Sequence, residues 1–153
     1  MKILFVCLGN ICRSPLAEGI LTKKFEDEGI EGTIHSAGFE PYHEGQPPDP
    51  RSISTARKHD IDINGKRARL FETEDFNRYD FIYVMDSMNY QDVIRMARDE
   101  QDRKKVDYLL NQIEQGTDAE VPDPYYGGPD GFDRVYDMMD KACNRIIEKI
   151  KNA

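Results

Sequence analysis

What the 153-residue sequence has little of narrows its function first. It has no basic excess: 29 acidic residues against 21 basic ones leave a formal charge of −8, so no long-range positive field gathers nucleic acid or anionic lipid. An anionic ligand must be held by a local pocket of oriented amides and an arginine that overrides the global charge at short range. No apolar run is long enough to span a bilayer, and the N-terminus enters a strand-like segment without a signal-peptide layout, so a cytoplasmic protein is expected. The three cysteines, Cys7, Cys12 and Cys143, are too few and odd in number for a disulfide scaffold and read as thiols. His35, His43 and His59 show no metal-ligand spacing, so structural or surface roles and no metal site are expected. There is no repeat or low-complexity segment, and the charged stretch from Arg98 to Lys105 reads as solvated surface.

What is present suits a single domain over residues 1–153. Hydrophobic residues make up 39%, with seven Phe and eight Tyr, enough for one core. Lys2 to Val6 and Phe81 to Met85 are short apolar, β-branched runs of the kind buried on both faces of a parallel sheet. Thr33 to His35 and, more weakly, Val106 to Leu109 are further strands. After Ser14-Pro15, the spacing of Leu16, Ile20, Leu21 and Phe25 predicts a helix that exits at Gly29. Asp49-Pro50 and Asp86-Ser87 begin two more helices, the second covering Val93, Ile94 and Ala97. Phe132, Val135, Tyr136, Met139, Cys143, Ile146, Ile147 and Ile150 follow one face of a long final helix. This alternation predicts an open α/β sheet with helices on both faces, and ligands at the carboxyl ends of the strands.

Cys7 stands at such an end, in Cys7-Leu8-Gly9-Asn10-Ile11-Cys12-Arg13-Ser14. A thiol, five residues, an arginine and a hydroxyl at a helix start answer the needs of phosphoryl transfer. Successive N–H groups from Leu8 to Cys12, with the helix N-terminus, can form a phosphate cradle, and Gly9 and Asn10 tolerate the backbone angles it requires. That positive environment favours a thiolate, the attacking species. Arg13 offers a two-pronged donor to two phosphoryl oxygens, and Ser14 can donate a hydrogen bond to the thiolate. Taken alone, Cys7 could equally be a core thiol and Arg13 a surface cation. The apolar strand before them and the Ser-Pro helix start after them favour chemistry.

Cleaving a phosphate monoester also needs a proton for the leaving oxygen. In Val121-Pro122-Asp123-Pro124-Tyr125-Tyr126-Gly127-Gly128, two prolines and two glycines fix a loop that presents Asp123 and two tyrosines. On its own this could be a rigid surface turn; beside Cys7, Asp123 becomes the candidate acid.

The run Val6 to Pro15 and the run Asp123 to Gly127 together resemble the low-molecular-weight protein tyrosine phosphatase family over nearly the whole chain. The resemblance implies a four-stranded parallel sheet flanked by helices, with the phosphate-binding loop after strand 1. It implies tyrosine-phosphorylated protein substrates and a phosphocysteine intermediate, with no cofactor and no metal. Cys7 would attack, Arg13 bind the phosphoryl group, and Asp123 donate a proton and then activate water. Asn10, Ser14 and Ser36 would form the network that holds the loop, and Tyr42, Tyr125 and Tyr126 the walls of a slot deep enough to favour phosphotyrosine over phosphoserine. Cys12 would form a reversible disulfide with Cys7; a packed thiol is the competing reading, and Cys143 reads as core. The resemblance departs at Lys66, where many members carry a histidine directed toward the aspartate after the third strand, here Asp86. A Lys66–Asp86 ion pair is the expected substitute. Relatives that reduce arsenate relay a disulfide through extra cysteines beyond the third strand, and none lies between Cys12 and Cys143. Relatives that dephosphorylate arginine typically carry threonine where this chain has Ile11, with a single aromatic after Asp-Pro. Ile11 and the Tyr125-Tyr126 pair point to tyrosine. A non-catalytic phosphotyrosine-binding or thiol-redox module is the alternative of another class, and the joint presence of Cys7, Arg13 and Asp123 argues against it. A monomer or weak homodimer that engages neither nucleic acid nor membrane completes the expectation.

Overall fold

The computed structural model describes residues 1–128 and 130–153, with the backbone alone at Tyr126. The apolar runs pair into one sheet of four parallel strands: β1 (Lys2–Val6), β2 (Thr33–Ala37), β3 (Phe81–Val84) and β4 (Val106–Tyr108), in the order β2-β1-β3-β4. Strand alternation sends Ile3, Phe5, Tyr83 and Met85 to one face and Leu4, Val6, Ile82 and Val84 to the other, and each face is covered. On the first lie α1 (Arg13–Asp27), α2 (Pro50–Arg57) and the long α6 (Gly131–Lys151), packed through Leu16, Ile20, Leu21, Val135, Met139 and Cys143. Phe71, Phe76 and Val93 close the second, from the segments around α3 (Asp75–Arg78) and α4 (Ser87–Met96), together with Tyr108 at the end of β4.

The expected strands and helices are present, with local differences. β2 runs two residues beyond His35, which places Ser36 opposite Phe5. β4 stops at Tyr108 because Leu109 begins a 3-10 turn. The charged stretch from Arg98 is mostly exposed but carries a short helix, α5 (Glu100–Lys104), capped by Asp99 and anchored by the buried Asp102, which accepts from Arg98. Where predicted, Asp49 and Asp86 cap α2 and α4 by accepting the N–H of Arg51 and Asn89.

Strand order reverses about β1, so the loops after β1 and β3 flank the crevice where an open α/β sheet binds ligands. Cys7 follows β1 and Asp86 follows β3. No helix among the described residues is long and apolar enough to cross a membrane.

Candidate active site

The loop from Cys7 to Cys12 joins β1 to α1 and is held in shape by one asparagine. Asn10 has φ +56°, in the left-handed region that asparagine tolerates better than most residues. Its side-chain oxygen accepts the N–H of Arg69 at 2.9 Å, so its amide nitrogen faces inward and donates to Ser14 Oγ at 2.7 Å and Ser36 Oγ at 2.9 Å. Each hydroxyl then has its own hydrogen to spend elsewhere. Ser36 donates to Glu18 Oε1 at 2.6 Å, and Ser14 Oγ lies 3.0 Å from Cys7 Sγ with its hydrogen free to point at the sulfur. Cys7, Asn10, Ser14, Ser36 and Glu18 are all buried. The backbone N–H groups of residues 8–12 find no protein acceptor among the described residues, which leaves them to an anion at the start of α1.

Arg13 is 2% exposed, and its guanidinium is fixed from behind: Nη1 donates to Asp86 Oδ2 at 2.7 Å and to the Val121 carbonyl at 2.9 Å. Burial works against its charge, but Cys7 and Asp86 outweigh it and push the guanidinium above its usual range. Arg13 therefore stays a cation. Its Nη2 lies 3.9 Å from Asp123 Oδ2 across the crevice. Asp123 opens the 3-10 turn Pro124–Tyr126, where its Oδ1 accepts the N–H of Tyr125 at 3.0 Å.

A cavity of about 100 Å³ opens over this loop, floored by Cys7 and Arg13 and rimmed by Glu40, Tyr42, His43, Asp123 and Tyr125, with Leu8, Gly9, Ile11 and Cys12 along its sides. Cys7, Arg13 and Asp123 thus share one cavity although 116 residues separate the first from the last. Tyr42 and Tyr125 are exposed at its mouth, and the Tyr42 ring packs against His43 with ring centres 4.3 Å apart and planes tilted by 45°. The side chain of Tyr126 lies outside the described residues. Cys7, Cys12 and Cys143 are free thiols. Burial above all, with Asp49 and Cys7 nearby, pushes the Cys12 thiol up, so it stays protonated at neutral pH. Among the described residues no cluster of His, Cys, Asp and Glu could hold a metal ion.

The expected Lys66–Asp86 ion pair does not form. Asp86 faces the crevice and is taken by Arg13, whereas the Lys66 ammonium reaches the far end of the asparagine network and pairs with Glu18. Lys66 thus neutralises the carboxylate that anchors Ser36. Glu18 carries no expectation from the sequence, although its position one turn after Ser14 puts both on one face of α1. Nor does Gly38: a Cβ there would sit 2.8 Å from the Asn10 nitrogen and 2.9 Å from the Leu8 carbonyl, so only glycine lets the end of β2 lie against the loop.

Set beside known proteins, residues 2–153 match the family described as low molecular weight phosphotyrosine protein phosphatase. The chain belongs to that family. A low molecular weight phosphotyrosine protein phosphatase of Schizosaccharomyces pombe is 40% identical over 153 residues, covering 98% of this chain and 97% of the relative. The crystal structure of an Entamoeba histolytica protein tyrosine phosphatase with Hepes in its active site superimposes with a TM-score of 0.91 at 37% identity, covering 99% and 97% of the two chains. A Drosophila arginine phosphatase superimposes with a TM-score of 0.91 at 30% identity, covering 99% and 98%.

Proposed function

We propose that this protein-tyrosine phosphatase hydrolyses phosphotyrosine in proteins through a phosphocysteine intermediate, with Cys7 as nucleophile, Arg13 as phosphate clamp and Asp123 as general acid and base. The observation that carries the reading is the convergence of the three on one cavity above a loop whose N–H groups have no acceptor among the described residues. The Cys7 thiolate, its proton already lost to solvent and its sulfur accepting from Ser14, attacks phosphorus and forms an S–P bond. As the P–O bond to the tyrosine ring breaks, its electron pair goes to the phenolic oxygen, which takes the proton of the Asp123 carboxyl group. Asp123, now ionised, takes a proton from water, whose oxygen attacks phosphorus; the S–P bond breaks, its electrons return to sulfur, and inorganic phosphate leaves. Throughout, Arg13 and the loop N–H groups face the equatorial oxygens, and because Asp86 and Val121 already hold the guanidinium it needs little reorganisation.

Tyr42 and Tyr125, exposed at the cavity mouth, support a flat aromatic substrate, and Tyr126 belongs with them on sequence grounds. Leu8, Gly9, Asn10, Ile11, Cys12 and Ser14 form the phosphate cradle, with Ser36 and Asp86 supporting it. The three free thiols suit a reducing compartment, and we place the protein in the cytoplasm as a monomer or weak homodimer. The test is phosphate release from phosphotyrosine, phosphoserine and phosphoarginine peptides, with chelator present, by the wild type and by Cys7→Ser. Selective turnover of phosphotyrosine that vanishes in Cys7→Ser is expected. Faster turnover of phosphoarginine would transfer the substrate assignment to that class.

A further inference from the structure

Asp123 has to be presented to the phosphate loop from a separate segment of chain, and besides Arg13, which reaches the Val121 carbonyl, a second arginine spans the gap between them. Arg51 lies in the first turn of α2, and that turn is bolted to the phosphate loop: the Asp49 N–H donates to the Ile11 carbonyl at 2.8 Å, and Ser52 Oγ donates to the Cys12 carbonyl at 3.0 Å. Asp49 grips one edge of the Arg51 guanidinium, with Nε on Oδ1 at 3.0 Å and Nη2 on Oδ2 at 2.9 Å. The remaining nitrogen, Nη1, donates to the Tyr125 carbonyl at 3.3 Å. The guanidinium carbon lies 5.1 Å from the Tyr125 ring centre and 4.7 Å from that of Phe132, near the start of α6. Tyr125 in turn donates its N–H to Asp123 Oδ1. Arg51 therefore touches both the segment clamped to the phosphate loop and the residue that orients the acid.

From this geometry we infer that Arg51 is a positioning residue that holds the Asp123 loop over the phosphate loop, acting on proton transfer through Tyr125. The inference rests on the reading of Asp123 as general acid. Only a planar, delocalised cation can grip a carboxylate along one edge, donate to a carbonyl from another and stack on two rings, so lysine is a poor replacement. The Asp49–Arg51 fork also holds the Asp49 carboxyl below the usual carboxylate range, so the pair stays charged through the neutral region.

The test compares two aryl phosphates that differ in their need for a proton, phenyl phosphate and 2,4-dinitrophenyl phosphate. Both are turned over by the wild type, Arg51→Met, Arg51→Lys, Asp123→Ala and the Arg51→Met/Asp123→Ala double variant. Methionine keeps an apolar contact for the two rings, and circular dichroism confirms that each variant is folded. Displacing the acid should cost about 10-fold or more in kcat/KM on phenyl phosphate and about 2-fold or less on the dinitrophenyl ester. Arg51→Lys should fall between wild type and Arg51→Met, and the double variant should match Asp123→Ala on phenyl phosphate, since a missing acid has no position to lose. Equal losses on the two esters, no loss on either, or further loss in the double variant would overturn the role of Arg51 even where Asp123→Ala shows its own leaving-group dependence. If Asp123→Ala shows none, the general-acid reading fails and takes the Arg51 inference with it.

Discussion

Replacing Asn10 by alanine removes the piece on which the phosphate loop hangs, and the structure sets the size of the loss. Three side-chain hydrogen bonds disappear, to Ser14, to Ser36 and from the Arg69 N–H, with lengths between 2.7 and 2.9 Å. At about 1 kcal/mol net for each, and with partners left buried, they are worth about 3 kcal/mol. Alanine at φ +56° adds about 1 kcal/mol of backbone strain that asparagine largely avoids. Asn10→Ala should therefore lose about 4 kcal/mol of stability, equivalent to a drop of roughly 8–16 °C in Tm for a chain of this size. Asn10→Gly loses the same bonds without the strain and should be the more stable of the two by about 1 kcal/mol. Urea unfolding followed by circular dichroism measures both. A loss below about 1 kcal/mol in Asn10→Ala, or a glycine variant less stable than the alanine one, would refute the reasoning.

Asp86→Ala leaves the Arg13 guanidinium with the Val121 carbonyl at 2.9 Å and the Asp123 carboxylate at 3.9 Å as its remaining partners; breaking such a pair costs about 3–5 kcal/mol when fully buried, and with Asp86 20% exposed and Asp123 still present about 2 kcal/mol is expected, read by urea unfolding. The pH dependence of stability has a fixed sign at Asp102, whose carboxyl group is held below its usual range by its hydrogen bonds to Arg98. A carboxyl group so depressed contributes stability above its unfolded pKa of about 3.9 and loses it as pH falls through the lower folded value. Melting curves between pH 2 and 6 should accordingly show the gap between wild type and Asp102→Asn closing toward the acid end; a constant gap would refute the linkage. Burial raises the thiols of Cys12 and Cys143, so iodoacetamide at neutral pH should leave both unmodified in the native protein, as peptide mass spectrometry can check.

Much of this architecture is written in local sequence. Lys2–Val6 and Phe81–Val84 are apolar on both sides of the strand, which already requires a covered parallel sheet, and Asp49 and Asp86 announce the helices they cap. The loop from Cys7 to Ser14 is contiguous, so residue types and spacing alone single it out as the candidate phosphate loop. What spans distant segments was less legible. Lys66 found Glu18 rather than Asp86 because ion pairing depends on which side of the loop a side chain arrives from, and no spacing encodes that. Gly38 matters through its approach to Asn10, and Arg51 through two rings about 75 and 80 positions away; both are facts of tertiary packing.

The most direct test of the phosphocysteine route is a rapid acid quench during turnover of an aryl phosphate, followed by mass spectrometry of the peptides. Wild type and, in greater amount, Asp123→Ala should carry a phosphate adduct on Cys7, and Cys7→Ser should carry none. Turnover with no adduct, or with the adduct on another residue, would contradict the assignment of Cys7 as nucleophile.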